Sequence, residues 1–140
     1  MSLTSLIIQG LLVIKAITKN SREEKNEPLV GTKWALSRIE NVKVAPKGNI
    51  PFLKFDDEQM SFIGNSSCNR IFGKFEVSGE KLKISNVGTT RMACRAPENQ
   101  AIERDMTAAL AKVNRYEIKE NVLFLYADDK VLLKLLPLGR

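Results

Sequence analysis

The stretch IFGKFEVSGEKLKIS, residues 71–85, constrains the fold more than any other part of the chain. Phe72, Phe75 and Val77 precede a Ser78-Gly79 turn, after which Leu82 and Ile84 face one way and Lys81 and Lys83 the other. Alternation of period two on both sides of a short glycine turn is the pattern of an antiparallel hairpin with one buried face. The pattern recurs along the chain. TKWALSRI reads as a half-buried strand, and FLKFDDEQMSFIG as two strands joined by a tight acidic turn at Asp56 and Asp57. RYEIKENVLFLYADDKVLLKLLPL supplies three more, linked by Lys119-Glu120-Asn121 and by Asp128-Asp129. In the middle one, Val122, Phe124 and Tyr126 alternate with Leu123, Leu125 and Ala127, so that both faces are apolar, as in a central strand covered on both sides. Between the two strand-rich halves lies one helix, from Glu98 to Val113. Pro97 suits its first turn, Glu98 and Glu103 sit towards its positive end, and Ile102, Met106, Leu110 and Val113 form an apolar stripe. About seven or eight short strands with one late helix predict a mainly β fold, an antiparallel barrel or strongly curved sheet in which closure removes exposed edges.

The first 28 residues differ from the rest. MSLTSLIIQGLLVIKAITKN is apolar-rich, and as a helix it confines Ser2, Ser5, Gln9 and Lys19 to a narrow polar stripe. The run is too short to span a bilayer comfortably. No basic region precedes it, no small-residue cleavage site follows it, and no lipobox-type cysteine is present. A stripe this wide needs cover, and a homodimer contact through residues 3–17 is one expectation. SREEKNEP then forms a charged linker, which places the segment and linker at 1–28 and the domain at 29–140.

The chain contains no histidine. That excludes Ser-His and Cys-His nucleophile pairs, an imidazole general base and a histidine-ligated zinc site. Two cysteines, Cys68 and Cys94, are too few for a thiolate zinc site and too far apart for a CxxC redox pair, leaving a disulfide or two unrelated thiols. No metal and no cofactor is expected. The acidic turns at Asp56, Asp57 and Glu58 and at Asp128 and Asp129 are ordinary solvated turns, so no enzymatic activity is expected either. The net charge of +6 is spread along the whole chain without a basic run, and only nine aromatics are present, most at core positions, so nucleic acid is not an expected partner.

SSCNRIFGKFEV, KLKISNVGTTRMAC, ENQAIERDMTAALAKVNRYEI and NVLFLYADDKVLLKL, preceded by LVGTKWALSRI, resemble in order and spacing the META domain of HslJ-like proteins, over Leu29 to Leu136. The family's most recognisable pieces are intact: Cys68, Asn69, Arg70 and Gly73, then Thr90, Arg91, Met92, Ala93 and Cys94. The resemblance implies a lipocalin-like barrel topology with one helix, no established catalysis, links to heat shock, and export to the bacterial periplasm, cell envelope or outside. Many members are lipid-anchored, so a tether supplied by a native N-terminus beyond this chain is a further expectation. An exact pair of cysteines suits an oxidising compartment, so a Cys68–Cys94 disulfide is expected over two buried thiols.

Six basic residues, Arg70, Lys74, Lys81, Lys83, Arg91 and Arg95, lie in this region against Glu76 and Glu80. Two roles fit Arg70, Arg91 and Arg95. They brace an irregular loop through its carbonyls, or they receive a carboxylate, a phosphate or a partner's acidic patch. The function expected is therefore a stress-associated binding module with a protein partner at the TRMAC loop. Alternatives are a small-ligand site in or at the mouth of the barrel, a protease-inhibitor-like module and a nucleic-acid binder.

Overall fold

The computed structural model describes residues 25–139, and the readings for residues 1–20 lie outside them. The described residues form nine strands and one helix: β1 (Lys33–Ile39), β2 (Val42–Lys43), β3 (Phe52–Asp56), β4 (Ser61–Asn65), β5 (Arg70–Ser78), β6 (Lys81–Thr89), α1 (Pro97–Leu110), β7 (Arg115–Lys119), β8 (Val122–Ala127) and β9 (Lys130–Gly139). From β3 to β9 each strand pairs antiparallel with its successor, and β1 pairs with both β3 and β9. An eight-stranded ring results, with β2 hooked onto the end of β1. This is the antiparallel barrel with one helix that the alternation predicts.

The ring is weakest between β6 and β7, whose registered pairing is Lys81↔Arg115. The helix enters the chain at that point, and α1 buries Ile102, Met106, Ala109 and Leu110 against the barrel core. Trp34, Leu53, Phe55, Phe62, Phe75, Leu123, Leu125, Leu133 and Leu135 fill the interior. Trp34 donates its indole N–H to the Leu29 carbonyl (3.1 Å), satisfying the one polar atom of the largest core side chain. The helix ends at Leu110, earlier than its apolar stripe suggests, yet Val113 remains buried and completes that stripe from the following turn.

Two readings of side-chain direction are corrected. Phe72 does not join Phe75 and Val77 in the core but is 48% exposed. Three positions separate it from Phe75, so strict alternation sends Ile71, Gly73, Phe75 and Val77 inward and Phe72 outward. Strand β8 is not covered on both sides by layers of structure. Leu123 and Leu125 fill the barrel, while Phe124 and Tyr126 lie on the outer wall beneath long polar side chains. There the Arg115 guanidinium sits 3.8 Å from the Tyr126 ring centroid and Lys134 Nζ 5.7 Å from that of Phe124.

Residues 25–28 run against the β7–β8 turn. Asn121 N–H donates to Asn26 Oδ1 (2.6 Å), and Glu27 N–H donates to Asn121 Oδ1 (2.8 Å).

Candidate functional site

The motif residues meet at one end of the barrel, where the β4–β5 loop, the start of β5, the β6–α1 loop and the first turns of α1 converge. Cys68 and Cys94 are joined by a disulfide with their Cα atoms 5.2 Å apart. Beside the disulfide, Asn69 is 5% exposed and uses both its amide oxygen and its amide nitrogen. Its Oδ1 accepts from the Thr90 hydroxyl (3.0 Å) and from the Met92 N–H (2.6 Å), and its Nδ2 donates to Glu103 Oε1 (2.6 Å). The Ser66 hydroxyl lies within reach of the same Glu103 oxygen (3.1 Å) and of the Asn69 carbonyl (3.2 Å), with one proton to give. Thr90 Oγ1 also accepts from the Arg70 N–H (3.1 Å), and the Thr90 N–H returns a bond to the Arg70 carbonyl (3.1 Å). Gln100 Nε2 donates to the Cys94 carbonyl (2.6 Å). Within loop 90–96 the Thr90 N–H still bonds β5, the Met92 N–H and the Cys94 carbonyl are met by the side chains of Asn69 and Gln100, and the Ala96 carbonyl accepts from the first turn of α1.

Gly73 belongs to the same construction. A Cβ there would lie 2.7 Å from Phe62 Cε1 and 2.8 Å from the Ser85 carbonyl oxygen, so only glycine fits. Opposite it, β6 carries an irregularity: Phe72 pairs with Gly88 but Lys74 with Ser85, leaving Asn86 and Val87 to face Gly73, with Asn86 at φ 53°.

This arrangement separates the residues that hold the loop from those it presents. Cys68, Asn69, Thr90 and Cys94 hold it, assisted by Ser66, Gln100 and Glu103, which motif reasoning did not single out. The readable signal for Glu103 was its place on α1 beside the buried stripe of Ile102 and Met106. Arg70, Arg91, Met92, Ala93 and Arg95 are exposed, with Met92 63% so. Among the described residues, the guanidiniums of Arg70, Arg91 and Arg95 neither pair with an acid nor donate to a loop carbonyl. The bracing role therefore falls to neutral side chains and Glu103.

An open cleft of about 490 Å³ borders this end of the barrel, lined by Asn69, Val87, Thr89, Thr90, Arg91, Glu103 and Thr107. A larger apolar groove of about 570 Å³ runs outside the barrel between α1 and the β1–β2 turn, with Val42, Val44, Ala101, Ile102 and Leu132 on its walls. Both are surface features, and the interior itself is occupied by side chains. Among the described residues no group of three or more His, Cys, Asp or Glu is placed to hold a metal. Asp56, Asp57 and Glu58 lie at the exposed β3–β4 turn, where Asp56 Oδ1 accepts the Glu58 N–H (3.0 Å); Asp128 Oδ1 accepts from Asn114 Nδ2 (3.0 Å). Neither group forms a facing carboxylate pair.

A polar cluster stands apart on the outer wall. Glu117 binds Arg115 (3.0 Å), Lys119 (3.1 Å) and the Tyr126 hydroxyl (3.0 Å). The Lys119 hydrogen bond, followed by that of Tyr126, holds the Glu117 carboxyl below its ordinary value. Burial first, and then the hydrogen bond to Glu117, raises Tyr126, while Glu117 raises Lys119.

Comparison with known proteins agrees with this geometry. Residues 27–137 match the family model described as META domain. The Heat shock protein HslJ of Escherichia coli (strain K12) is 22% identical over 128 residues, which span 91% of this chain and 90% of that protein. An NMR structure of a protein from Burkholderia xenovorans superposes with a TM-score of 0.67 at 27% identity, covering 80% of this chain and 85% of that one. A second NMR structure, at 24% identity, shares the fold with a TM-score of 0.61 over 77% of this chain and 91% of its own.

Proposed function

This chain belongs to the META domain family, and from that premise we propose that it is a non-catalytic, stress-associated binding module of the bacterial envelope, whose contact surface is the stapled loop at residues 90–96. One observation carries the reading: three exposed guanidiniums, without a partner among the described residues, sit on or beside a loop that is held from below by a disulfide and an amide network. A disulfide and an amide network fix the backbone before any partner arrives, so little ordering cost remains to be met on binding. Arginine offers a planar fork of donors, and unpaired forks suit the carboxylates of an acidic protein segment. The relative's heat-shock name supports the stress association, and a disulfide suits the oxidising envelope.

The test is capture from envelope extract on immobilised protein, comparing wild type with Arg91→Ala and Arg95→Ala. Arginine contacts at interface centres are worth about 2 kcal/mol or more, so recovery of a specific acidic partner should fall roughly tenfold or further. An identical capture profile for wild type and both variants would overturn this surface.

A further inference from the structure

We propose that the outer wall formed by β3 to β6 docks on an anionic lipid bilayer. Cross-strand registers place Lys33, Lys54, Ile63, Phe72 and Gly88 in one continuous row across five strands. Thr32, Trp34, Leu53, Phe55, Phe62 and Ile71, their neighbours along β1, β3, β4 and β5, are buried, so Lys33, Lys54, Ile63 and Phe72 lie on the outside; at Gly88, next to the β6 irregularity, Val87 and Thr89 are themselves exposed. At its centre Ile63 is 58% exposed and Phe72 48%. The Phe72 ring is fixed in place, because it lies on Gly88 so closely that a Cβ there would stand 2.5 Å from Phe72 Cε2. An aromatic ring and an isoleucine are thus presented side by side, next to Lys33, Lys54 and Arg70.

The charge around this patch runs in one direction. Arg70 pairs with Asn65 at the end of β4, and Thr90 and Arg91 follow alongside it, so that end is basic. Asp56, Asp57 and Glu58 occupy the opposite end, at the β3–β4 turn. Lys74, nearer that turn, directs its Nζ to the Gln59 carbonyl (3.3 Å). A bilayer carrying negative headgroups complements this polarity: the apolar tips enter the boundary of the acyl chains, the long stems of Lys54 and Arg70 carry their charges to the headgroups, and the acidic turn tilts into water. The wall of a closed barrel is convex, and β3, β4 and β5 pair with a strand on each side, so the centre of the patch around Ile63 and Phe72 offers no free edge for an extended peptide; a cleft of about 360 Å³ lies to one side of it, between Lys54, Ile63 and the acidic turn. Among the described residues no helix is long and apolar enough to cross a membrane.

Co-sedimentation of the full chain with vesicles tests the idea, using mixed phosphatidylglycerol and phosphatidylcholine against phosphatidylcholine alone. Wild type should partition to the anionic vesicles and release with salt. Each basic side chain near such a surface changes partitioning roughly five-fold, so Lys54→Gln with Arg70→Gln should weaken it on the order of twenty-five-fold. Ile63→Ser with Phe72→Ser should weaken it as well. Should Phe72→Ser fail to fold, as judged by Trp34 fluorescence, Ile63→Ser alone carries the apolar half of the test. Every variant keeps residues 1–20, so equal sedimentation of variants and wild type would assign any retention to that segment and overturn the proposal. Equal binding to neutral vesicles would overturn it too. So would loss of captured envelope protein with unchanged vesicle binding, which would make the wall a protein interface.

Discussion

Asn69 illustrates how much of this site rests on single residues. Its amide joins the β4–β5 loop, the TRMAC loop and α1 through Thr90, Met92 and Glu103. Asn69→Ala should destabilise the fold by about 1–3 kcal/mol, because the Met92 N–H and the Thr90 hydroxyl lose their acceptor and Glu103 Oε1 is left with the Ser66 hydroxyl alone. Arg91→Ala, at an exposed and unpaired side chain, should stay within about 0.5 kcal/mol. Chemical denaturation of both variants checks the contrast, and equal effects would refute the division between holding and presenting residues. Glu117 yields a pH prediction. Its folded value lies below the ordinary 4.5, so its contribution is present above that value and is lost as pH falls through the folded one. Glu117→Gln should therefore flatten the decline of the unfolding midpoint on the acid side. Lys119 and Tyr126 are raised, so their contributions are full below their unfolded values and fade as pH rises through the folded ones. At this scale the sequence was only partly legible. Asn69 stood out within a motif, but its partner Glu103 lies 34 positions away, and no local pattern links an asparagine in a loop to an acid on a later helix.

At the scale of elements, α1 begins at Pro97 behind Ala96, an N-cap position whose side chain makes no capping bond. The first-turn donors are already met, the Asn99 and Gln100 N–H groups by the Ala96 carbonyl and the Glu98 N–H by its own carboxylate, so Ala96→Ser should change stability by less than about 0.5 kcal/mol, read as an almost unmoved thermal midpoint. The disulfide encloses a separation of 26 residues. Replacing Cys68 and Cys94 together with serine should cost about 3.5 kcal/mol through the entropy of the unfolded chain, measured as a lower denaturant midpoint. The hairpins and the helix were readable because their signals are local: period-two alternation, turn residues, and a stripe of period 3.6. Phe72 shows where such reading slips. Hydrophobicity suggested the core, whereas counting by twos from Phe75 places the ring outside, a choice the packing of Phe62 against Gly73 then enforces.

For the molecule as a whole, closure between β1 and β9 joins the two ends of the described chain. Trp34 sits inside β1, fully buried at that seam. Trp34→Ala should cost about 3–5 kcal/mol, and in the wild type its fluorescence should follow global unfolding in a single transition that coincides with far-UV circular dichroism. The sequence by itself determined the eight ring strands, though not the two-residue β2, together with the single helix of the described residues, the antiparallel class and the absence of histidine chemistry, because each depends on residue types within a few positions of one another. Only the tertiary structure decided which residues hold the motif loop and which it presents, and that Ile63 and Phe72 share an outer wall with Lys54 and Arg70. Those facts depend on strand register and on contacts between distant segments, which exist only once the ring has closed.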